Sequence, residues 1–306
     1  MDSTSVAERI VERFPGMAPQ VQAAARFVLD NPQDVAMLSM REQARRAGVP
    51  PVTMIRLARQ LGFPGYAEFR GIFASALRGP GGRFSDRAGA LQARQKRGGD
   101  EALVQQIGQV LAGEVAALAG RNPAAAWVEA ARTLEAGQRL FCLGLRSCYP
   151  VAFHFHYIYG LFRDNGVLID GAGNTGMDRL RHAGPKDVLL AVSVAPYTTA
   201  AVDMARYAVA RGMALIAITD SRVAPLAALA THALIVPTAT PSFFHAITPA
   251  FAAAETLAAL LAARSGRKAL DALRVSEAQL AAFNTYWSPS GKRLGRKPAA
   301  TARKVN

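Results

Sequence analysis

Three hydroxyl side chains follow closely on short apolar runs. Ser147 comes after Arg139–Leu143, and Ser193 and Thr198 come after Val188–Val192. Hydroxyls just beyond a strand, beside the free N–H groups that open the next helix, suit an anionic or polyhydroxylated small molecule. Tyr197 lies between Ser193 and Thr198. It either contacts such a ligand or packs against its neighbours. A second group lies near the start of the chain, in a helix that Pro51 opens at its first position. Met54, Leu57 and Leu61 share one face of it, leaving Val52, Thr53, Ile55, Arg56 and Arg59 available to a groove. Arginine bonds bidentately to guanine or pairs with phosphate, and threonine and aliphatic side chains touch thymine methyls. The same spacing also suits a small helical bundle with a solvated arginine face.

Other reactive side chains are less well placed. His154 and His156 are two apart, point to different sides of a helix and lack a third ligand, so no metal is expected. Cys142 reads as core, and Cys148 as core or pocket lining. His245 and Glu255 could serve acid–base chemistry, although Glu255 reads better as a pocket hydrogen-bonder or an interface residue. No cofactor and no catalytic set of residues is expected.

The elements that must position these groups change character along the chain. Before residue 79 every periodic segment is a short helix, and Ser39 can cap one over Met40–Ala47, with Gly48 as the turn into the next. Residues 79–99 are rich in Gly, Arg and Ser and read as a linker, with room for a short helix around Ala88–Lys96. From residue 100 to 287, helices alternate with apolar strands over Arg139–Leu143, Val167–Ile169, Val188–Val192, Ala214–Thr219 and Ala233–Val236. Helices are expected at Glu101–Ala119, Pro123–Leu134, Ser147–Phe162, Thr198–Ala210, Pro225–Ala230 and Phe244–Ala263. Strands this apolar, separated by helices, describe a doubly wound parallel sheet whose ligands sit beyond the strands' carboxyl ends. The fold class is therefore an all-α helix-turn-helix domain (1–78) followed by an α/β doubly wound domain.

Composition sets the outer bounds. The 306 residues are 51% apolar and 19% charged, enough to bury two cores. The net charge of +14 is divided unevenly, +7 over residues 1–99, +1 over 100–287 and +6 over 288–306. A basic front, a neutral middle and a basic, disordered tail suggest a polyanion-binding module on a neutral body. Two cysteines cannot build a disulfide framework. No apolar signal-peptide core lies in Met1–Phe14, and Phe243–Ala263 contains His245, Pro249 and Glu255. Secreted, membrane-spanning and disulfide-scaffold classes are therefore excluded, and a reduced, cytoplasmic protein is expected.

The run from Ser39 to Val49, then Thr53 to Tyr66 with its Arg-x-x-x-x-Leu-Gly-Phe-x-Gly-Tyr ending, resembles the N-terminal domain of RpiR/MurR-family bacterial transcriptional regulators. Asn31-Pro32 and the helix before it match the same pattern. The resemblance implies double-stranded operator DNA as a partner, a homodimer or homotetramer, and a second half that is a sugar isomerase (SIS) domain binding phosphosugars. Residues 100–287 resemble such a domain throughout. Two departures stand out. Pro50 replaces the family's usual N-cap serine, and Ala195-Pro196 interrupts the Ser-x-Ser-Gly-x-Thr turn of phosphosugar binders while Ser193 and Thr198 remain. The lost hydroxyl and N–H weaken the phosphate cradle, so the effector is expected to be a phosphosugar held weakly or another acidic metabolite. The rival reading is a phosphosugar isomerase with an appended basic domain. That chemistry needs a base and a firm phosphate grip.

Overall fold

The computed structural model describes residues 3–78, 84–171, 173 and 175–287. Residues 79–83 of the expected linker and the basic tail 288–306 lie outside the described residues.

Among the described residues, six α-helices form the N-terminal domain: α1 (Ser3–Arg13), α2 (Pro19–Asp30), α3 (Pro32–Met37), α4 (Met40–Arg46), α5 (Pro51–Gln60) and α6 (Tyr66–Arg78). Proline opens α2, α3 and α5, at the position where its missing N–H costs nothing. Ser39 caps α4 by accepting from the Glu42 N–H. The turn between α4 and α5 depends on Gly48. Its φ is 66°, and the Gly48 N–H reaches the Arg45 carbonyl while the Val49 N–H reaches Ala44. That pair of bonds closes a helix end on a left-handed residue, which glycine occupies without strain. One core holds the six helices together, with Ile10, Val28, Met54, Leu57, Leu61, Phe69 and Phe73 at its centre. Gln43 is wholly buried yet satisfied. Its amide donates to the Val35 and Leu38 carbonyls at 3.0 and 2.9 Å and accepts from the Tyr66 hydroxyl.

Helix α7 (Phe84–Ala116) replaces most of the expected linker and its short helix. It breaks at Gly99, where φ is 77°. Its first turns find partners far away in sequence. Arg87 donates to the Ser242 and Phe244 carbonyls, both at 3.0 Å, Arg94 donates to Pro241 at 3.3 Å, and Phe84 stacks on Phe244. Composition cannot reveal such partners. By length and composition alone Phe84–Arg121 could reach across a bilayer. Instead the helix is broken mid-way and packs against α12 (Thr248–Arg264).

The remaining elements are α8 (Leu118–Arg121), α9 (Ala124–Ala136), β1 (Leu140–Gly144), α10 (Tyr149–Gly160), β2 (Gly166–Ile169), β3 (Val188–Val192), α11 (Thr199–Ala210), β4 (Ala214–Thr219), β5 (His232–Ile235) and α13 (Gly266–Ala282). The five strands are parallel, in the order β2-β1-β3-β4-β5. Alternate side chains fill the two faces. Leu140, Cys142, Leu190, Ile216 and Leu234 pack with α9, α10 and α12, while Phe141, Leu143, Leu189, Ala191 and Leu215 pack with α11.

Three further expectations need correction. Pro225–Ala230 is a series of turns rather than a helix: the Ala228 N–H reaches back four residues to Ala224, but the Leu229 and Ala230 N–H groups reach back only three, to Leu226 and Ala227. The last helix of the sheet layer starts at Thr248, not Phe244, and Pro249 stands in its first turn. Helix α13 had no place in the sequence reading. Ala269 is its one buried residue, so it carries little apolar period.

Candidate functional site

The sheet order fixes where a ligand can enter. The chain passes from β1 to β2 on one side and then returns to β3 on the other. The helices after β1 and β3 therefore leave in opposite directions and open a crevice at the strands' carboxyl ends. Ser147 follows β1, and Ser193 to Thr198 follow β3, so the structure brings these residues to that one edge.

On the β1 side, Gly144 lets the chain fold back tightly. A Cβ there would lie 2.3 Å from the Cys148 carbonyl oxygen. The next turn puts Arg146 at φ 54°, and burial pushes the Cys148 thiol pKa up. Ser147 Oγ lies 3.0 Å from His245 Nε2. Burial first, and then the Arg87 charge, lower the pKa of His245, so its ring is neutral at pH 7. His245 Nδ1 is buried and has no hydrogen-bond partner among the described residues. A buried orphan N–H is rarer than a bare acceptor, which favours the proton on Nε2, donated to Ser147. The serine's own proton then points away from His245, to the neighbouring Cys148 sulfur or to a ligand.

On the β3 side, Ser193 is 3% exposed. Its N–H donates to Ile218, and its carbonyl accepts from the Thr219 hydroxyl at 2.7 Å. Tyr197 donates to Asp220 Oδ1 at 2.9 Å, and the Ala195 N–H donates to Oδ2 at 3.2 Å. Burial raises the pKa of Asp220 and, together with the adjacent carboxylate, that of the Tyr197 phenol. With its proton given to Asp220, Tyr197 offers a ligand only an acceptor oxygen. Thr198 is the N-cap of α11, and its side chain makes no capping bond. The Ala195–Pro196 peptide is cis.

In the N-terminal domain, α5 presents Pro51, Val52, Arg56 and Arg59 to solvent. Two candidates from the sequence do not join them. Thr53 is 1% exposed and belongs to the core, and Ile55 is half-buried against the same cluster. The buried stripe includes Thr53, Met54, Leu57, Ala58 and Leu61, so it is wider than the three apolar residues indicated. On α4 two of the three cations are already engaged. Arg45 and Arg46 both bind Glu42, whose carboxyl they hold down to about 2, and Arg46 also reaches Asp34 at 2.7 Å. Among the described residues neither Arg56 nor Arg59 has an ion-pair partner. Pro50, the N-cap of α5, provides no side-chain cap.

His154 and His156 point apart as expected. The first meets Glu255 at 3.1 Å, and the second faces the Gly166 carbonyl. Sequence reasoning weighed His245 only as an acid–base group and missed its contact with Ser147, 98 residues away.

Fold and site together define a two-part protein, a helix-turn-helix domain joined to a doubly wound domain with a crevice at its switch point. Residues 4–78 match the helix-turn-helix domain of the rpiR family, and residues 134–260 match the SIS domain. The chain therefore carries an RpiR-family helix-turn-helix domain followed by a SIS domain. It is 36% identical over 67 residues to an uncharacterized HTH-type transcriptional regulator from the aarA 3' region of Providencia stuartii, covering 22% of this chain and 23% of that relative's length. Among solved structures, the sugar isomerase domain of an RpiR transcription factor from Sphaerobacter thermophilus has a TM-score of 0.55 at 23% identity, covering 57% of this chain and 98% of that one. NanR of Vibrio vulnificus, complexed with ManNAc-6P, has a TM-score of 0.52 at 18% identity, covering 90% and 97%. These two likenesses speak for the fold.

Proposed function

We propose that this protein is a cytoplasmic transcriptional regulator that binds operator DNA through α5 and tunes that binding with a small anionic effector held by its SIS domain. The observation that carries the reading is the joining, in one chain, of an RpiR-family helix-turn-helix domain to a SIS domain. The exposed Arg56 and Arg59 support the DNA half, since a recognition helix needs unengaged cations toward the groove. Ser147, Ser193 and Thr198 at the switch point support the effector half. The effector class is a phosphosugar or another acidic metabolite. NanR's phosphosugar complex favours the first, and Ala195-Pro196 in the β3 turn favours the second.

The protein is not an enzyme in this reading. The titratable groups around the crevice already have structural roles, Asp220 with Tyr197 and Ala195, and His245 with Ser147. It acts as a homodimer or a dimer of dimers. Phe153 and Tyr157 stand exposed one turn apart on α10, and Phe283 and Trp287 beyond α13 are exposed too. These apolar side chains support self-association of the SIS domain. The helix-turn-helix domain spans 1–78 in this reading, and the second domain begins at 84 rather than 100, because the first turns of α7 hold loop 241–244.

The test combines three measurements on purified protein: selection of bound DNA from the surrounding genome, the salt dependence of that binding, and a turnover assay with phosphosugars. Sequence-selective, salt-sensitive binding without turnover is expected. Turnover without DNA binding would establish the isomerase reading instead.

A further inference from the structure

Loop 241–245 touches two parts of the protein at once. At one end, His245 meets Ser147 in the crevice at 3.0 Å. At the other, α7 holds the loop through Arg94 on the Pro241 carbonyl and Arg87 on the Ser242 and Phe244 carbonyls. Phe84 stacks on Phe244 with centroids 5.2 Å apart, and Phe244 lies against His245 at 4.1 Å. The grip extends along α7 from Phe84 to Arg94, and the helix begins six residues beyond the end of α6 at Arg78.

We propose that this loop is the relay between the effector crevice and the DNA-binding domain, and that His245 is the residue that positions Ser147 for the effector. The proposal rests on the regulator reading above. When the loop is seated, His245 Nε2–H donates to Ser147 Oγ and leaves the serine proton to reach a ligand oxygen. A ligand that takes that proton polarises the serine and strengthens the bond from His245, since linked hydrogen bonds reinforce each other. When the loop is unseated, Ser147 loses that orientation, and the three carbonyls at 241, 242 and 244 no longer meet Arg87 and Arg94. The effector therefore selects the seated loop, and with it the fixed first turns of α7. By linkage, the clasp and the effector must stabilise each other equally.

Hydrogen exchange on the full-length protein tests the relay without knowledge of the natural effector. In His245→Ala, amide exchange over residues 84–98 is expected to rise at least about tenfold, while residues 102–116 keep wild-type rates. His245→Gln, whose amide can still donate to Ser147, is expected to restore protection. Arg87→Ala/Arg94→Ala is expected to raise exchange over 241–247 and to weaken binding of ManNAc-6P or inorganic phosphate, whichever the wild type binds in titration. DNA affinity is the second readout. His245→Ala and the double arginine variant are expected to shift it at least about fivefold in the same direction. Wild-type exchange over 84–98 in His245→Ala would overturn the relay, as would opposite or absent shifts in DNA affinity. A wild-type protein that selects no DNA would instead overturn the regulator reading, and the exchange comparison would still decide whether His245 holds α7.

Discussion

Tyr197 donates its phenolic proton to Asp220 at 2.9 Å, bridging the turns that leave β3 and β4. The Ala195 N–H completes the arrangement from the same turn. Asp220 is thereby fixed by the segment that departs from the usual phosphate cradle. Tyr197→Phe removes one of its partners and leaves a carboxylate withdrawn from water. A loss of about 1–3 kcal/mol in unfolding free energy is expected in urea titration. Unchanged stability would show that the pair is incidental to the turn.

The proposed DNA contact divides α5 into two kinds of residue. Arg56→Ala and Arg59→Ala are each expected to cost about 1–3 kcal/mol of operator affinity if the guanidinium contacts a base. Thr53→Val, at a buried position, should leave operator affinity unchanged to within about twofold. Equal losses for all three variants in a gel-shift titration would return Thr53 to the interface.

The division on α5 shows what the sequence could and could not reveal. Helical spacing identified the core face by Met54, Leu57 and Leu61 but set it too narrow, because Thr53 is polar in type and buried in place. The strands were more legible. Val188–Val192 and Ala214–Thr219 lie where the apolar runs put them, since a strand covered on both faces is apolar throughout. Ser147, Ser193 and Thr198 could be placed at the carboxyl ends of β1 and β3 because their neighbours in sequence are strands. His245, Arg87 and Arg94 could not, because their partners are 98 to 157 residues away in sequence.

Effector binding should depend on two of the hydroxyls. In Ser193→Ala the effector response is expected to vanish while effector-free DNA binding stays near wild type, whereas Ser147→Ala, which also removes the partner of His245, is expected to lose the response and to shift effector-free DNA binding in the same direction as His245→Ala. Calorimetric titration against phosphosugars and sugar acids provides the check. Equal heats for wild type and both variants would move the site elsewhere.

Acid should loosen the opposite end of the sheet. Arg139 grips Asp187 through two nitrogens at 3.0 and 2.7 Å, and the Gly184 N–H adds a third bond at 2.9 Å. Burial works to raise the Asp187 pKa, but these partners outweigh it, and the net shift is downward from 3.8. The pair therefore stabilises the fold fully above that ordinary value, and its contribution is lost as pH falls through the lower folded value. Asp187→Asn should cost about 1–3 kcal/mol at pH 7. The difference from wild type should shrink below pH 4 in parallel unfolding curves. A constant difference down to pH 2 would mean that the carboxylate charge is not what holds Arg139.

The tail, residues 288–306, contributes six cations and no acid. It lies outside the described residues. Truncation after Trp287 should flatten the salt dependence of DNA binding and leave sequence preference intact. An identical slope would leave the tail without a role at the duplex.

The break at Gly99 turns what would be a single rod of about 50 Å into two short levers. The lever before it is tied to loop 241–244, and the one after it half-buries one face through Leu103, Ile107, Val110, Leu111 and Val115. A straight helix would have to move both attachments together, dragging the sheet's helical layer with every motion near the DNA-binding domain. With a joint at residue 99, the first lever can tilt while the second stays fixed to the body. A shift of loop 241–244 is then carried by the first lever alone and is not passed on to the second.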